Sequence, residues 1–444
     1  MQNQRRQTIA DTVAVIGGGI AGLSCACELS DAGMQVTVFE AKSALGGRAG
    51  SFRDRETGKL IDNCQHVLAG CCNCAIRFLS RIGSLEQVRF FKTLNFVGPE
   101  GKTLRIQSSF LPAPTHLLPS LARTRYLSTR DKLCLATMLA RMAVKKPAAK
   151  VTAVEYLRRL CASQAAIDRV IEPILVSALN EQMDVASATY ARMVLLKTLV
   201  GGKRSYRLGV PKKPLADLVA GPASRYLRDR GCQIRTSAGV ERIETDGEKA
   251  TSLVTQSGER IEFDHYVCAV PPWSLAEMGV DSQGGQDLIW RSVVCAHVFF
   301  EGPRLAFDQV CVVGEPFQWV FNKTNDFGRD ATHIQAVASA AEAILKLSNR
   351  ELYELAMRSA VKAEPALKHM KPNRAIICRN SRATFSTGGA CDALRPSGTT
   401  PLRNLFLAGD WTDTRWPATI ESAVRSGEAA AGMVIDSTRR VVDW

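Results

Sequence analysis

Gly17-Gly-Gly19-Ile20-Ala21-Gly22 directly follows the apolar run Val13-Ala-Val-Ile, near the start of the chain. A buried strand that ends in such a turn and feeds a helix brings main chain close to a pyrophosphate, whose charge the helix amides then hold. Glu40 stands 23 positions after Gly17, at the end of the next apolar run and ahead of Ala41 and Lys42. A carboxylate there can accept from ribose hydroxyls. Gly46-Gly47-Arg48 follows and would set backbone and a guanidinium near the diphosphate. The far end repeats this grammar: Leu405-Phe-Leu-Ala-Gly409-Asp410-Trp411, then Pro417-Ala-Thr419-Ile420-Glu421, which opens a last helix. Asp410 would lie by a ribityl chain, and the amides at Thr419 and Ile420 would face the pyrimidine edge of a flavin, stabilising negative charge on the reduced ring. Val240, in Ser237-Ala-Gly-Val-Glu-Arg-Ile, marks a strand whose backbone meets adenine. Together these residues describe one FAD clamped by both ends of the chain.

The densest polar run of the N-terminal third is Asp62-Asn63-Cys64-Gln65-His66, next to apolar Val67-Leu68. Its place after Gly-Gly-Arg takes the chain past the isoalloxazine ring, where a histidine can exchange protons. Cys71-Cys72-Asn73-Cys74 contains a Cys-x-x-Cys, but no second pair follows at metal-ligand spacing, so no metal site is expected.

Positioning these groups needs a parallel sheet, and the strand signals fall at Thr12–Ile16, 35–40, 267–270 and 405–407, with a helix from Ile20 to Ala32 stopped by Gly33. Because the signals occur early, midway and late, the cofactor domain is discontinuous. The expected fold is α/β: a Rossmann-like FAD-binding domain from 1–90, 205–272 and 374–444, with an inserted α+β substrate domain from 91–204 and 273–373. In the first insertion Leu133, Leu135, Met138, Leu139 and Met142 are read as one helix face. In the second, strands are expected at 293–300, 310–313 and 318–321 and a helix at 349–362.

The chain has 444 residues, 46% of them hydrophobic, enough for two or three cores. Its net charge is +14, and the stretch 123–213 alone holds eighteen Lys or Arg against six Asp or Glu. Such a segment suits an anionic membrane surface; no motif points to nucleic acid. Fourteen scattered cysteines, several in apolar runs such as Cys25, Cys27, Cys134 and Cys268, favour a reducing compartment. The short basic start Met1–Arg6 leaves no room for a signal segment, and no apolar run approaches about 18 residues. A cytoplasmic protein is expected, with peripheral contact to the inner face of the plasma membrane.

Read in order, Asp62–His66, Phe110-Leu-Pro-Ala-Pro114 with His116–Pro119, Leu175–Asn180 with Ala186–Ala188, Val210-Pro211 with Pro214-Leu215, Gln318–Phe321 and Leu405–Thr414 resemble one branch of the flavin amine oxidase and carotenoid desaturase superfamily, the hydroxysqualene dehydroxylases. The resemblance covers nearly the whole chain. It departs at Cys64 and Ser422, where the family usually has glycine, and at Arg415-Trp416. It implies a step of bacterial squalene synthesis in which reduced FAD replaces the hydroxyl of a C30 isoprenoid by hydride, with a reductant that no motif specifies. That chemistry needs an acid for the leaving oxygen and a dry apolar chamber. His66 is the candidate acid, with Gln65 orienting it or the substrate. Trp319, Phe321, Trp273 and Trp416 are candidate walls. The alternative is an oxidative relative, a phytoene-type desaturase or an amine oxidase using the same clamp.

Overall fold

The computed structural model describes residues 10–301, 305, 307–324 and 331–442; Met1–Arg6 lie outside them. The first strand, Thr12–Ile16, is Val- and Ile-rich and buried, as a strand covered on both faces must be. It leads into the helix Ile20–Asp31 and then to the strand Gln35–Phe39, which pairs in parallel with the first over its full length. Gly33, with φ of +84°, ends the helix. The sheet is completed by Gln233–Arg235 beside Gln35–Phe39 and by His265–Cys268 and Leu405–Leu407 on the other side of the first strand, all parallel.

Two strand expectations change here. The strand expected at 267–270 runs His265–Cys268, because its register is set by Val13–Ile16 opposite, and Pro272 already begins a helix at Pro272–Glu277. Gln233–Arg235 carries no strand signal of its own; it is three residues long, largely polar, and held by pairing with Thr37–Phe39.

The larger sheet has seven strands. Thr93–Val97 and Thr103–Gln107 form a hairpin that joins Gln309–Val312, and the sheet continues through Trp319–Asn322, Ala331–Ser339 and Trp290–Glu301 to Pro372–Phe385. Pro372–Phe385, which the expected division gives mostly to the flavin segments, hydrogen-bonds along Trp290–Glu301. Strand alternation divides the faces: Val294, Ala296, Val298, Phe300, Val320, Ala336 and Ala338 pack against the helix Asn349–Ala363. Cys295, Trp319, Phe321 and Val337 turn to the other core, shared with the helical insertion.

Within that insertion Ser128 and Asp131 form a reciprocal cap at the start of the helix Thr129–Val144. Leu135, Met138 and Met142 are buried on it, but Leu133 is 65% exposed. Positions 133 and 135 lie about 200° apart on a helix, so they cannot share the stripe. All fourteen cysteines are unpaired, and Cys134 is only partly buried.

Candidate active site

At the carboxyl edge of the parallel sheet lies a cavity of about 660 Å³. Gly17, Gly19, Ile20, Ala21, Glu40, Ala41, Lys42, Gly47, Arg48, Val240, Gly409, Asp410, Thr419 and Ile420 all line it, so the two ends of the chain wall a single chamber. Gly22 stands behind the wall. A Cβ there would come within 2.0 Å of the Gly17 carbonyl oxygen, so only glycine lets the first helix pack onto the turn. At Gly19 a Cβ would meet no protein atom closer than Gly47 Cα at 4.0 Å and would fill the chamber instead. That cradle at a helix N-terminus fits the pyrophosphate of a dinucleotide.

Glu40 is 8% exposed and holds the rim together. Its carboxylate accepts from the Gly18 and Lys42 amides, both at 2.9 Å, and the remaining lone pairs are available to ribose hydroxyls. Arg48, expected by a diphosphate, forms an ion pair with Asp410 and donates to the Ala383 carbonyl at 2.9 Å. The pair ties the front motif to the rear one.

Sequence reasoning missed Arg395, which organises the rear loop. Its side chain is fully buried and donates to the Asp410 carbonyl at 3.1 Å, the Thr412 carbonyl at 2.5 Å and Thr414 Oγ1 at 3.2 Å, and also to the Tyr190 hydroxyl. Tyr190 sits on the helix Ala188–Leu195 of the insertion. No sequence cue marks it: Arg395 stands 14 positions before Gly409, and Arg403 is the nearer arginine. Gln256, Glu277, Ala383 and Thr384 also line the chamber without any signal in the sequence.

A second cavity, about 540 Å³, adjoins the first. Leu94, Ile174, Ala178, Met193, Val194, Leu199, Leu208, Val293 and Val337 give it apolar walls, and Trp319, Phe321 and Trp416 also line it. Trp319 and Phe321 are two apart on one strand and therefore share a face; their rings stack with centroids 5.9 Å apart. Trp319 Nε1 donates to Ser177 Oγ at 2.7 Å, which satisfies its polar edge. Trp273 is not on this wall. It lines the dinucleotide cavity, because the helix Pro272–Glu277 follows directly on a sheet strand, and it packs edge-on to Trp290 at 4.8 Å.

Arg48, His66, Ala383, Thr384, Ala418, Thr419 and Ile420 belong to both cavities and form their shared wall. His66 is therefore the titratable residue with an ordinary pKa near neutrality at the junction. Its Nδ1 lies 3.2 Å from the Cys64 carbonyl oxygen. A carbonyl can only accept, so the hydrogen is assigned to Nδ1 and Nε2 is left to exchange protons. Burial pushes the His66 pKa below its ordinary value, against the raising effects of the Cys64 carbonyl and the Asp62 carboxylate. Burial pushes Asp62 upward, although it accepts from Ser51 Oγ at 2.7 Å and the Leu215 amide at 2.8 Å. Gln65 lines the apolar cavity, but its Nε2 donates to the His66 carbonyl at 2.8 Å and does not hold the imidazole.

The departures from the resembled pattern fit locally. Cys64 is not in the left-handed region, so its backbone conformation makes no demand for glycine. Ser422 Oγ donates to the Asp410 carbonyl at 3.1 Å and lies 2.6 Å from Thr414 Oγ1. Arg415 takes the left-handed region with φ of +58°. Cys71 and Cys72 line the apolar cavity just before the helix Asn73–Arg81.

The model of the flavin containing amine oxidoreductases matches residues 20–435. The chain is 29% identical over 429 residues to a hydroxysqualene dehydroxylase of Zymomonas mobilis, covering 95% of this chain and 98% of the relative. It is 29% identical over 449 residues to that of Rhodopseudomonas palustris, covering 97% and 100%. A zeta-carotene desaturase of Synechocystis is 22% identical over 97% of this chain and 98% of its own length. Among solved structures, cyclohexylamine oxidase from Brevibacterium oxydans superposes with a TM-score of 0.66 at 17% identity, covering 97% of this chain and all of that one. Putrescine oxidase with bound putrescine gives 0.67 at 18%, over 96% and 99%. With a dinucleotide chamber closed by both ends of the chain and a family match over nearly all of it, this protein belongs to the flavin containing amine oxidoreductase family and is an FAD-dependent oxidoreductase.

Proposed function

We propose that the protein replaces the hydroxyl of hydroxysqualene by hydrogen, yielding squalene and water. The observation that carries this reading is the apolar cavity sharing its wall, His66 included, with the dinucleotide chamber. The hydroxysqualene dehydroxylase relatives, matched end to end, support the substrate class. Segments 1–90, 205–272 and 374–444 are taken as the flavin part and the rest as the substrate part. Bound and reduced, FAD supplies a hydride.

The residues divide the remaining work. Gly17, Gly19, Ile20 and Ala21 offer main chain to the pyrophosphate, Glu40 accepts from ribose, and Val240 meets the adenine. Arg48 and Asp410 fix the flavin end, with Thr419 and Ile420 at the pyrimidine edge. Trp319, Phe321 and Trp416 exclude water from the allylic cation that develops as the C–O bond breaks, and Trp319 and Phe321 present aromatic faces to it, the Trp416 ring being covered by Arg425 and Lys197. His66, protonated at Nε2, gives its proton to the leaving oxygen. Its lowered pKa makes the imidazolium a stronger acid but a rarer species at neutral pH. Gln65 holds the loop by its bond to the His66 carbonyl and keeps Oε1 directed at neither backbone nor side-chain donors in the structure.

The test is anaerobic incubation of dithionite-reduced protein with hydroxysqualene, followed by mass spectrometry. Squalene is expected. Unchanged hydroxysqualene, or product only from oxidised enzyme with an electron acceptor, would favour the desaturase or amine oxidase alternative.

A further inference from the structure

We infer that the loop 109–117 and the short helix Leu118–Arg123 dock on an anionic lipid bilayer, from which the isoprenoid reaches the apolar cavity. This deepens the function proposed above and rests on it for the identity of the cargo.

Phe110 is 88% exposed and Leu118 42%. Pro112, Ala113 and Pro114 between them are exposed as well. Apolar side chains left in water at these positions carry a free-energy cost that a partner would remove. The loop is not slack: the Ser109 amide donates to the His116 carbonyl at 2.8 Å and the Thr115 amide to the Pro112 carbonyl at 3.0 Å. Its exposed side chains are thus held outward by a closed turn.

Charge selects the partner. Arg123, Arg125 and Arg130 are exposed beside the apolar residues, and Lys203 Nζ donates to the Phe110 carbonyl at 2.6 Å. From Lys102 to Leu133 the chain has a single acid, Asp131. Asp131 is engaged in the helix cap with Ser128 Oγ at 2.6 Å. Exposed apolar anchors followed in the chain by a run of exposed arginines, with Asp131 the one acid and itself engaged in a cap, match an interface of acyl chains and anionic headgroups.

Ser108, the residue before the loop, is tied to the wall of the substrate chamber. The Ser108 amide donates to the Tyr206 hydroxyl at 2.9 Å, and Tyr206 lines the apolar cavity. Lys197, in the helical segment Leu196–Val200, also lines that cavity and is exposed, so the cavity wall reaches solvent there.

The test is flotation of the FAD-loaded protein with phosphatidylcholine vesicles, with and without phosphatidylglycerol, at low and high salt. Wild type is expected to float with the anionic vesicles and to lose binding as salt rises. Phe110→Glu and Leu118→Glu should each lower partitioning about tenfold or more, while Ile289→Glu, at an exposed apolar residue next to the Trp290–Glu301 strand, should not. Arg123→Glu combined with Arg125→Glu should remove the preference for anionic lipid. All variants are checked for bound flavin and for conversion of detergent-dispersed hydroxysqualene. Flotation unchanged in both loop variants would overturn the docking surface, as would a shift in oligomeric state, seen by light scattering, in place of lost flotation. Normal flotation by a wild type that converts no dispersed substrate would uphold docking and refute the proposed reaction.

Discussion

The dinucleotide chamber is walled largely by main chain: the Gly17–Gly22 turn and the start of the last helix, with Glu40 bracing the front rim and Arg395 the rear loop. The apolar chamber is made of side chains borrowed from strands and helices far apart in sequence, from Leu94 to Ile174, Met193, Trp319 and Trp416. A backbone site tolerates almost no change in residue type, because an added Cβ either collides with main chain, as at Gly22, or fills the chamber, as at Gly19. A side-chain site can be reshaped wall by wall while the cofactor stays bound.

That contrast can be broken most decisively at Gly22. Gly22→Val should abolish FAD retention, read as the 450 nm absorbance of purified protein, since even the first added carbon lies 2.0 Å from the Gly17 oxygen. Retained flavin would mean that the helix is not fixed against the turn. Arg395→Ala comes next. Loss of its charged hydrogen bonds should lower stability by about 3 kcal/mol and weaken flavin binding, measured by thermal unfolding and by flavin release. In the apolar chamber, Phe321→Ala should cost about 3–4 kcal/mol in denaturant unfolding yet leave flavin bound, with turnover reduced.

A smaller effect is expected from pH. If His66 gives the proton, flavin reoxidation by substrate should quicken as pH falls through its depressed pKa and slow as pH rises above it. His66→Gln should flatten that profile while FAD remains bound. The smallest change is expected at Ser422→Gly, which removes the hydroxyl bonded to the Asp410 carbonyl and should cost about 1 kcal/mol.

The same division governs how much could be read from the amino acids alone. Gly17, Gly19, Gly22, Glu40 and the Gly409-Asp410 pair announce themselves because a close backbone approach demands those types at fixed spacing. Trp319 and Phe321 were legible as aromatic candidates; the strand Trp319–Asn322 is what sets both on one face. Trp273 was assigned to the wrong wall, because an aromatic residue in isolation does not reveal which chamber its helix overlooks. Gln233–Arg235 escaped notice because its strand exists only through its neighbour. Thr384 reaches the shared wall from the end of a long antiparallel strand, a placement set by tertiary pairing with Trp290–Glu301.

The most direct test of the two-chamber account is anaerobic stopped-flow mixing of the reduced, FAD-loaded protein with hydroxysqualene. The account predicts that oxidised-flavin absorbance returns in step with squalene formation, one flavin per product. Reduced flavin that persists beside the bound substrate would contradict it.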